Sequence, residues 1–284
     1  MKTTQKKLSQ YLLLLTTLLS VPLAMSNTFK TPDGVTLNYQ VTGHGLPLVM
    51  LHSGMMSRDD MQAQVEYFSN QYQVIALDAR EQGRSSTSPE QITYELMSND
   101  VIELLDHLNI KKTHIFGQSD GGITALLTTH HHPSRINKLI IHGAVFSYTA
   151  YSPQMIEGMK SYTWDAKNLK DNDRSRFPGM AIESYLLGHK DLSDFESHLQ
   201  EMARMWSSSP KLTVKDLNQI KVPTLVIVGD HHDVSLRHTI EMHEALSNSQ
   251  LFVVPGGTHF IHQEKPELLH KVMDDFLSCQ VIEI

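Results

Sequence analysis

Short, mainly apolar runs alternate with segments of helical periodicity along most of the chain. The runs lie at 46–51, 72–77, 112–116, 138–141, 222–228 and 250–254. Between them, 62–68, 94–108, 122–129, 236–246 and 266–277 read as helices. In the second of these, Met97, Val101, Leu104, Leu105 and Leu108 recur at steps of three and four, which lines one helical face with apolar groups. Strands that are apolar throughout must be buried on both sides. Their alternation with helices predicts an α/β fold, a mostly parallel sheet with helices on both faces. Ahead of it, 29–41 alternates apolar and polar residues around Pro32-Asp33-Gly34, the pattern of a hairpin.

The alternation stops between Ser147 and Pro210. That stretch holds Trp164, Trp206, Met155, Met159, Met180, Met202 and Met205 among many charges. A coreless excursion of about 60 residues is uncommon. We therefore expect a helical cap over 148–210, inserted into a core of 27–147 and 211–284.

The N-terminus reads differently. Lys2, Lys6 and Lys7 precede an apolar stretch at 11–25, and Ala24-Met25-Ser26 has the small-x-small form of a cleavage site. The stretch is short for a membrane span, which needs about 20 residues. The expectation is a secretory signal over 1–26, a mature chain from Asn27, and a periplasmic or secreted protein. The formal charge of −7 counts against nucleic acid and anionic membrane as partners, and loss of the three lysines makes it more negative. No membrane partner is expected after cleavage. Cys279 is the only cysteine, so no intrachain disulfide can form. The oligomeric state is not legible.

The chemistry concentrates at Gly117-Gln118-Ser119-Asp120-Gly121, where an apolar run ends and a helical pattern begins. Glycines two positions either side of a serine permit a turn too tight for side chains, and the new helix aims N–H groups at the hydroxyl. A serine nucleophile needs a base, a group to orient that base, and donors for an oxyanion. In open α/β sheets these lie on loops at the carboxyl ends of strands. His259, after the last strand, is the candidate base. After the penultimate strand the chain reads Gly229-Asp230-His231-His232-Asp233-Val234, which offers Asp233 and Asp230 as the acid. The backbone N–H groups of Gly54 and Asp120 are the candidate oxyanion donors.

With these residues in place, the chain resembles the α/β-hydrolase family over nearly all of the mature sequence. Gly117–Gly122 is similar to its nucleophile elbow and His52-Ser53-Gly54 to its His-Gly oxyanion motif. The run from Asp78 to Ser85 resembles its Asp-x-Arg-Gly-x-Gly-x-Ser loop, and Pro255–His259 its histidine loop. The order serine, acid, histidine also matches. The resemblance implies a serine hydrolase that cleaves a small carboxylic ester through an acyl-enzyme, without a cofactor or metal. Lactones and carbon–carbon bonds beside a carbonyl remain open, as does a ligand-binding protein with a degraded triad.

Three positions depart from the family pattern. Ser53 and Glu81 stand where the family has glycine. The family reads Gly-x-x-Asp at the acid loop, whereas three residues past Gly229 is His232. Asp233 is then the expected acid if the loop shifts. Asp230, or no acid at all, are the alternatives.

Overall fold

The computed structural model describes residues 25–160 and 179–279. The expected signal segment up to residue 24, and Trp164 in the expected cap, lie outside them.

The described chain opens with a hairpin, β1 (Met25–Lys30) and β2 (Thr36–Thr42), closed by the Lys30–Thr36 pair. Then follow β3 (Leu46–Leu51), α1 (Gln62–Phe68), β4 (Tyr72–Leu77), α2 (Tyr94–His107), β5 (Thr113–Gln118), α3 (Asp120–His131) and β6 (Ile136–His142). Helices α4 (Pro153–Lys160), α5 (Gly179–Leu186), α6 (Phe195–Trp206) and α7 (Val214–Leu217) lie between β6 and β7 (Thr224–Gly229). The chain continues with α8 (Leu236–Ala245), β8 (Ser249–Val254), α9 (Ile261–Glu264) and α10 (Pro266–Ser278).

Among the described residues one eight-stranded sheet runs in the order β1-β2-β4-β3-β5-β6-β7-β8. The β1–β2 and β2–β4 pairs are antiparallel, and the rest are parallel. The apolar runs have a direct explanation. Leu48 and Met50 of β3 pack on one face of the sheet with Phe68 of α1 and Met273 of α10. Val49 and Leu51 pack on the other with Leu104 of α2 and Leu126 of α3. A strand whose odd and even residues both enter a core has no polar face to show. Every residue of β5 and β7 is buried.

This topology brings the carboxyl ends of β3, β5, β6, β7 and β8 to one edge. An antiparallel bridge between Ser147 and Lys211 stands at the base of the chain segment that carries α4, α5 and α6. Helix α6 buries Phe195, Leu199, Met202 and Met205 along one face. Its polar side ties to the core at Ile92. Glu201 accepts the Ile92 N–H at 2.8 Å, and Arg204 donates to the Ile92 carbonyl at 2.8 Å.

Candidate active site

The turn from β5 into α3 is built by exclusion. A Cβ at Gly117 would lie 2.1 Å from the Gly121 carbonyl oxygen, and one at Gly121 would lie 2.2 Å from that of Leu51. Only glycine lets the turn close on β3. Ser119 sits at its apex with φ 54° and ψ −117°, a region where a non-glycine residue costs about 1–3 kcal/mol. The Ser119 N–H donates to the His142 carbonyl at 2.8 Å and holds the turn. Ser119 Oγ has no hydrogen-bond partner among the described residues, and it opens on a cleft of roughly 1030 Å³ including its mouth. His259 lines the same cleft, with Met155, Met159 and Trp206 from the segment between β6 and β7.

The oxyanion candidates converge there too. Gly54 and Asp120 both line the cleft, and neither backbone N–H has an acceptor among the described residues. The loop that presents Gly54 is braced from behind. The Met55 N–H donates to Gln82 Oε1 at 2.7 Å, and His52 Nε2 accepts the Ala79 N–H at 3.0 Å.

The acid loop departs from the expectation. His259 Nδ1 lies 2.7 Å from Nε2 of His232, an imidazole where a carboxylate was sought. Asp233 lines the cleft but is exposed and makes no hydrogen bond to His259. Asp230 is exposed as well, and its Oδ1 accepts the Gly256 N–H at 2.6 Å. The reason is the backbone. The Asp230 N–H donates to Val254, that of His231 to Gly257, and that of His232 to Gly229. Three successive N–H groups are committed, so the loop does not shift by the one residue that would turn Asp233 inward.

The surroundings of His259 disfavour its cation. Burial lowers its pKa to about 3, helped by the neighbouring rings of His232 and His262, while Asp60 pulls the other way. Asp60 itself faces His262, whose Nε2 is 3.0 Å from its Oδ2. His142, fully buried beneath the site, has neither ring nitrogen bonded among the described residues. Its pKa is pushed well down by burial.

Asp120 has a second part that the sequence did not show. Its buried carboxylate accepts from the Tyr94 hydroxyl at 2.7 Å and from Trp206 Nε1 at 2.7 Å, which pins α6 to the elbow. Burial raises its pKa to about 6 against the pull of these two donors. The only sequence signal was an acid in the first turn of a buried helix, and its partners lie 26 and 86 positions away. Glu81, which stands where the family has glycine, does not line the cleft. It accepts the Ser88 N–H at 2.7 Å and lies 3.6 Å from His198 of α6.

Comparison with known proteins agrees with this architecture. Residues 47–179 match the model of the alpha/beta hydrolase fold family. The human serine hydrolase BPHL is 27% identical over 253 residues, which cover 87% of this chain and 84% of that protein. These matches assign the chain the alpha/beta hydrolase fold. The 3-oxoadipate enol-lactonase 1 of Acinetobacter baylyi is 24% identical over 87% of this chain and 94% of its own. The alpha/beta hydrolase MGS-M2, from a Medee basin deep-sea metagenome library, superposes with a TM-score of 0.75. It is 21% identical over 91% of this chain and 99% of that one. Of these relatives, one is named a serine hydrolase and another an enol-lactonase.

Proposed function

We propose that the chain hydrolyses small carboxylic esters with Ser119 as nucleophile. The observation that carries this is the strained serine at the apex of the elbow, opening on the cleft it shares with His259. Ser119 Oγ attacks the substrate carbonyl, and His259 carries the hydroxyl proton to the leaving alcohol. The N–H groups of Gly54 and Asp120 stabilise the oxyanion, and water then releases the acid from the acyl-enzyme. The apolar side chains of Met155, Met159 and Trp206 favour an apolar acyl group.

The test is hydrolysis of p-nitrophenyl esters of graded acyl length. Turnover should favour one length, and Ser119→Ala should lower it at least tenfold with the fold intact. Equal rates in the two chains would sink the proposal.

We also infer export, from the lysines and apolar stretch ahead of Ala24-Met25-Ser26. Expression in a bacterial host should yield extracytoplasmic protein that starts at Asn27. Full-length protein confined to the cytoplasm would overturn the inference.

A further inference from the structure

We propose that His232 is a positioning residue that holds His259 in the tautomer opposite to the one base catalysis uses, so that the site is a latent triad completed by a carboxylate at 232. The proposal rests on the reading above, that Ser119 and His259 carry the chemistry.

The hydrogen bonds determine the tautomer in sequence. The Val234 N–H points at His232 Nδ1 from 2.9 Å, and a backbone N–H can only donate. His232 Nδ1 is therefore an acceptor with no proton of its own. A neutral imidazole has one N–H, so in His232 it is on Nε2. That nitrogen is 2.7 Å from His259 Nδ1, and the shared proton belongs to His232. His259 Nδ1 accepts, which leaves its own proton on Nε2. An Nε2–H is a donor, so only the minor tautomer of His259 takes the serine proton, and the unaltered chain turns over slowly. A triad carboxylate does the reverse. It only accepts, so it draws the proton to Nδ1 and leaves a lone pair on Nε2.

The minor tautomer is disfavoured on each side. To give His259 an Nδ1–H, His232 must move its proton to Nδ1, where it would meet the Val234 N–H. A shift of His232 away from the pair is opposed by its backbone bond to Gly229 and by Gly143, which is itself held by its N–H to the Ile227 carbonyl. A Cβ at Gly143 would lie 3.0 Å from His232 Nε2 and 3.5 Å from His259 Nδ1. No carboxylate is hydrogen-bonded to His259 among the described residues to compete. In a serine triad, the wrong tautomer alone costs up to about 10⁴ in turnover.

The balance of the step shows what a carboxylate restores. In His232→Asp the proton of His259 resides on Nδ1, donated to the carboxylate. As the Ser119 oxygen bonds to the acyl carbon, its proton passes to the free Nε2, and the carbonyl π pair becomes the oxyanion. The oxyanion pair then re-forms the carbonyl as the carbon–oxygen bond to the leaving group breaks, and the imidazolium gives the departing alkoxide its proton. The new Asp occupies the third position past Gly229, the place of the family's acid.

Two measurements test this. The first is the imidazole nitrogen NMR spectrum of the unaltered chain. We expect His259 Nδ1 to give the signal of an unprotonated nitrogen and Nε2 that of a protonated one. The reverse assignment overturns the proposal whatever the variants do. The second is steady-state hydrolysis of p-nitrophenyl acetate. His232→Asp should raise kcat/KM at least tenfold, and addition of Ser119→Ala should remove the gain. His232→Ala, which removes the lock without supplying an acid, should raise kcat/KM by less than His232→Asp does. A folded His232→Asp chain without a gain, or a tenfold loss in His232→Ala, would make His232 a productive orienter and overturn the proposal. Fluorophosphonate labelling judges the hydrolase reading separately. If Ser119 is unlabelled in both the unaltered chain and His232→Asp, that reading fails, while the nitrogen spectrum still decides the tautomer.

Discussion

Gly121→Ala destabilises the chain by at least about 3 kcal/mol, a large share of the roughly 5–15 kcal/mol that holds a domain folded. The added methyl carbon would stand 2.2 Å from the Leu51 carbonyl oxygen, 2.5 Å from its carbon and 2.6 Å from the His52 oxygen. None of these is the far end of a flexible side chain. Leu51 is paired with Leu77 on one side and Gly117 on the other, so its carbonyl is part of the central ladder. Relief by more than 1 Å, about what a methyl–oxygen contact needs, requires α3 to lift from the sheet or β3 to leave it. Urea unfolding of Gly121→Ala and the unaltered chain measures the loss. A Gly121→Ala midpoint level with that of the unaltered chain would refute it.

Acid unfolds the protein through its histidines. Burial lowers the pKa of His114 and His238 to about 4 and that of His259 to about 3. From the ordinary value near 6.5 down to about 4, these rings are charged in the unfolded chain and neutral in the folded one. The unfolded state therefore binds more protons, and stability falls as pH falls. Each ring contributes about 1.4 kcal/mol per pH unit across that window. Asp120 works against them. With its pKa raised to about 6, its contribution is fully present below its unfolded value and is lost as pH rises through 6. It offsets about one ring, and the remaining two leave a net loss on the order of 5 kcal/mol between pH 7 and pH 4.5.

The geometry independently requires neutral rings. His52, His232 and His238 each accept a backbone N–H, from Ala79, Val234 and Phe146. A proton on any of these acceptor nitrogens would set N–H against N–H. Urea midpoints at pH 7.5 and 4.5 measure the loss, and equal midpoints would show the rings to be titrating in the folded chain.

The sheet and the elbow were legible because they depend on neighbours in the chain. A strand buried on both faces is apolar at every position, and 222–228 shows this without reference to any other segment. Ser119 was legible for a similar reason, since the glycines that let its turn close are two residues away. His259 could be placed because β8 ends just before it. The Asp120 carboxylate was not legible, since its donors come from Tyr94 and Trp206 on separate helices. Glu81 was half legible. Its exceptional place in the Arg80 loop stood out, but its direction, toward His198 and away from the cleft, is set by α6.

The sequence by itself determined the α/β alternation, the tight turn at Ser119 and the place of the candidate base, His259. Periodicity and local sterics act over a few residues and leave their mark in each segment. Only the tertiary structure decided which group meets His259. Gly229-Asp230-His231-His232-Asp233 offers two carboxylates and two imidazoles within five positions, and composition does not rank them. The bonds from that loop to Val254 and Gly257, on a strand and loop more than twenty residues away, turn His232 inward and leave both aspartates in solvent.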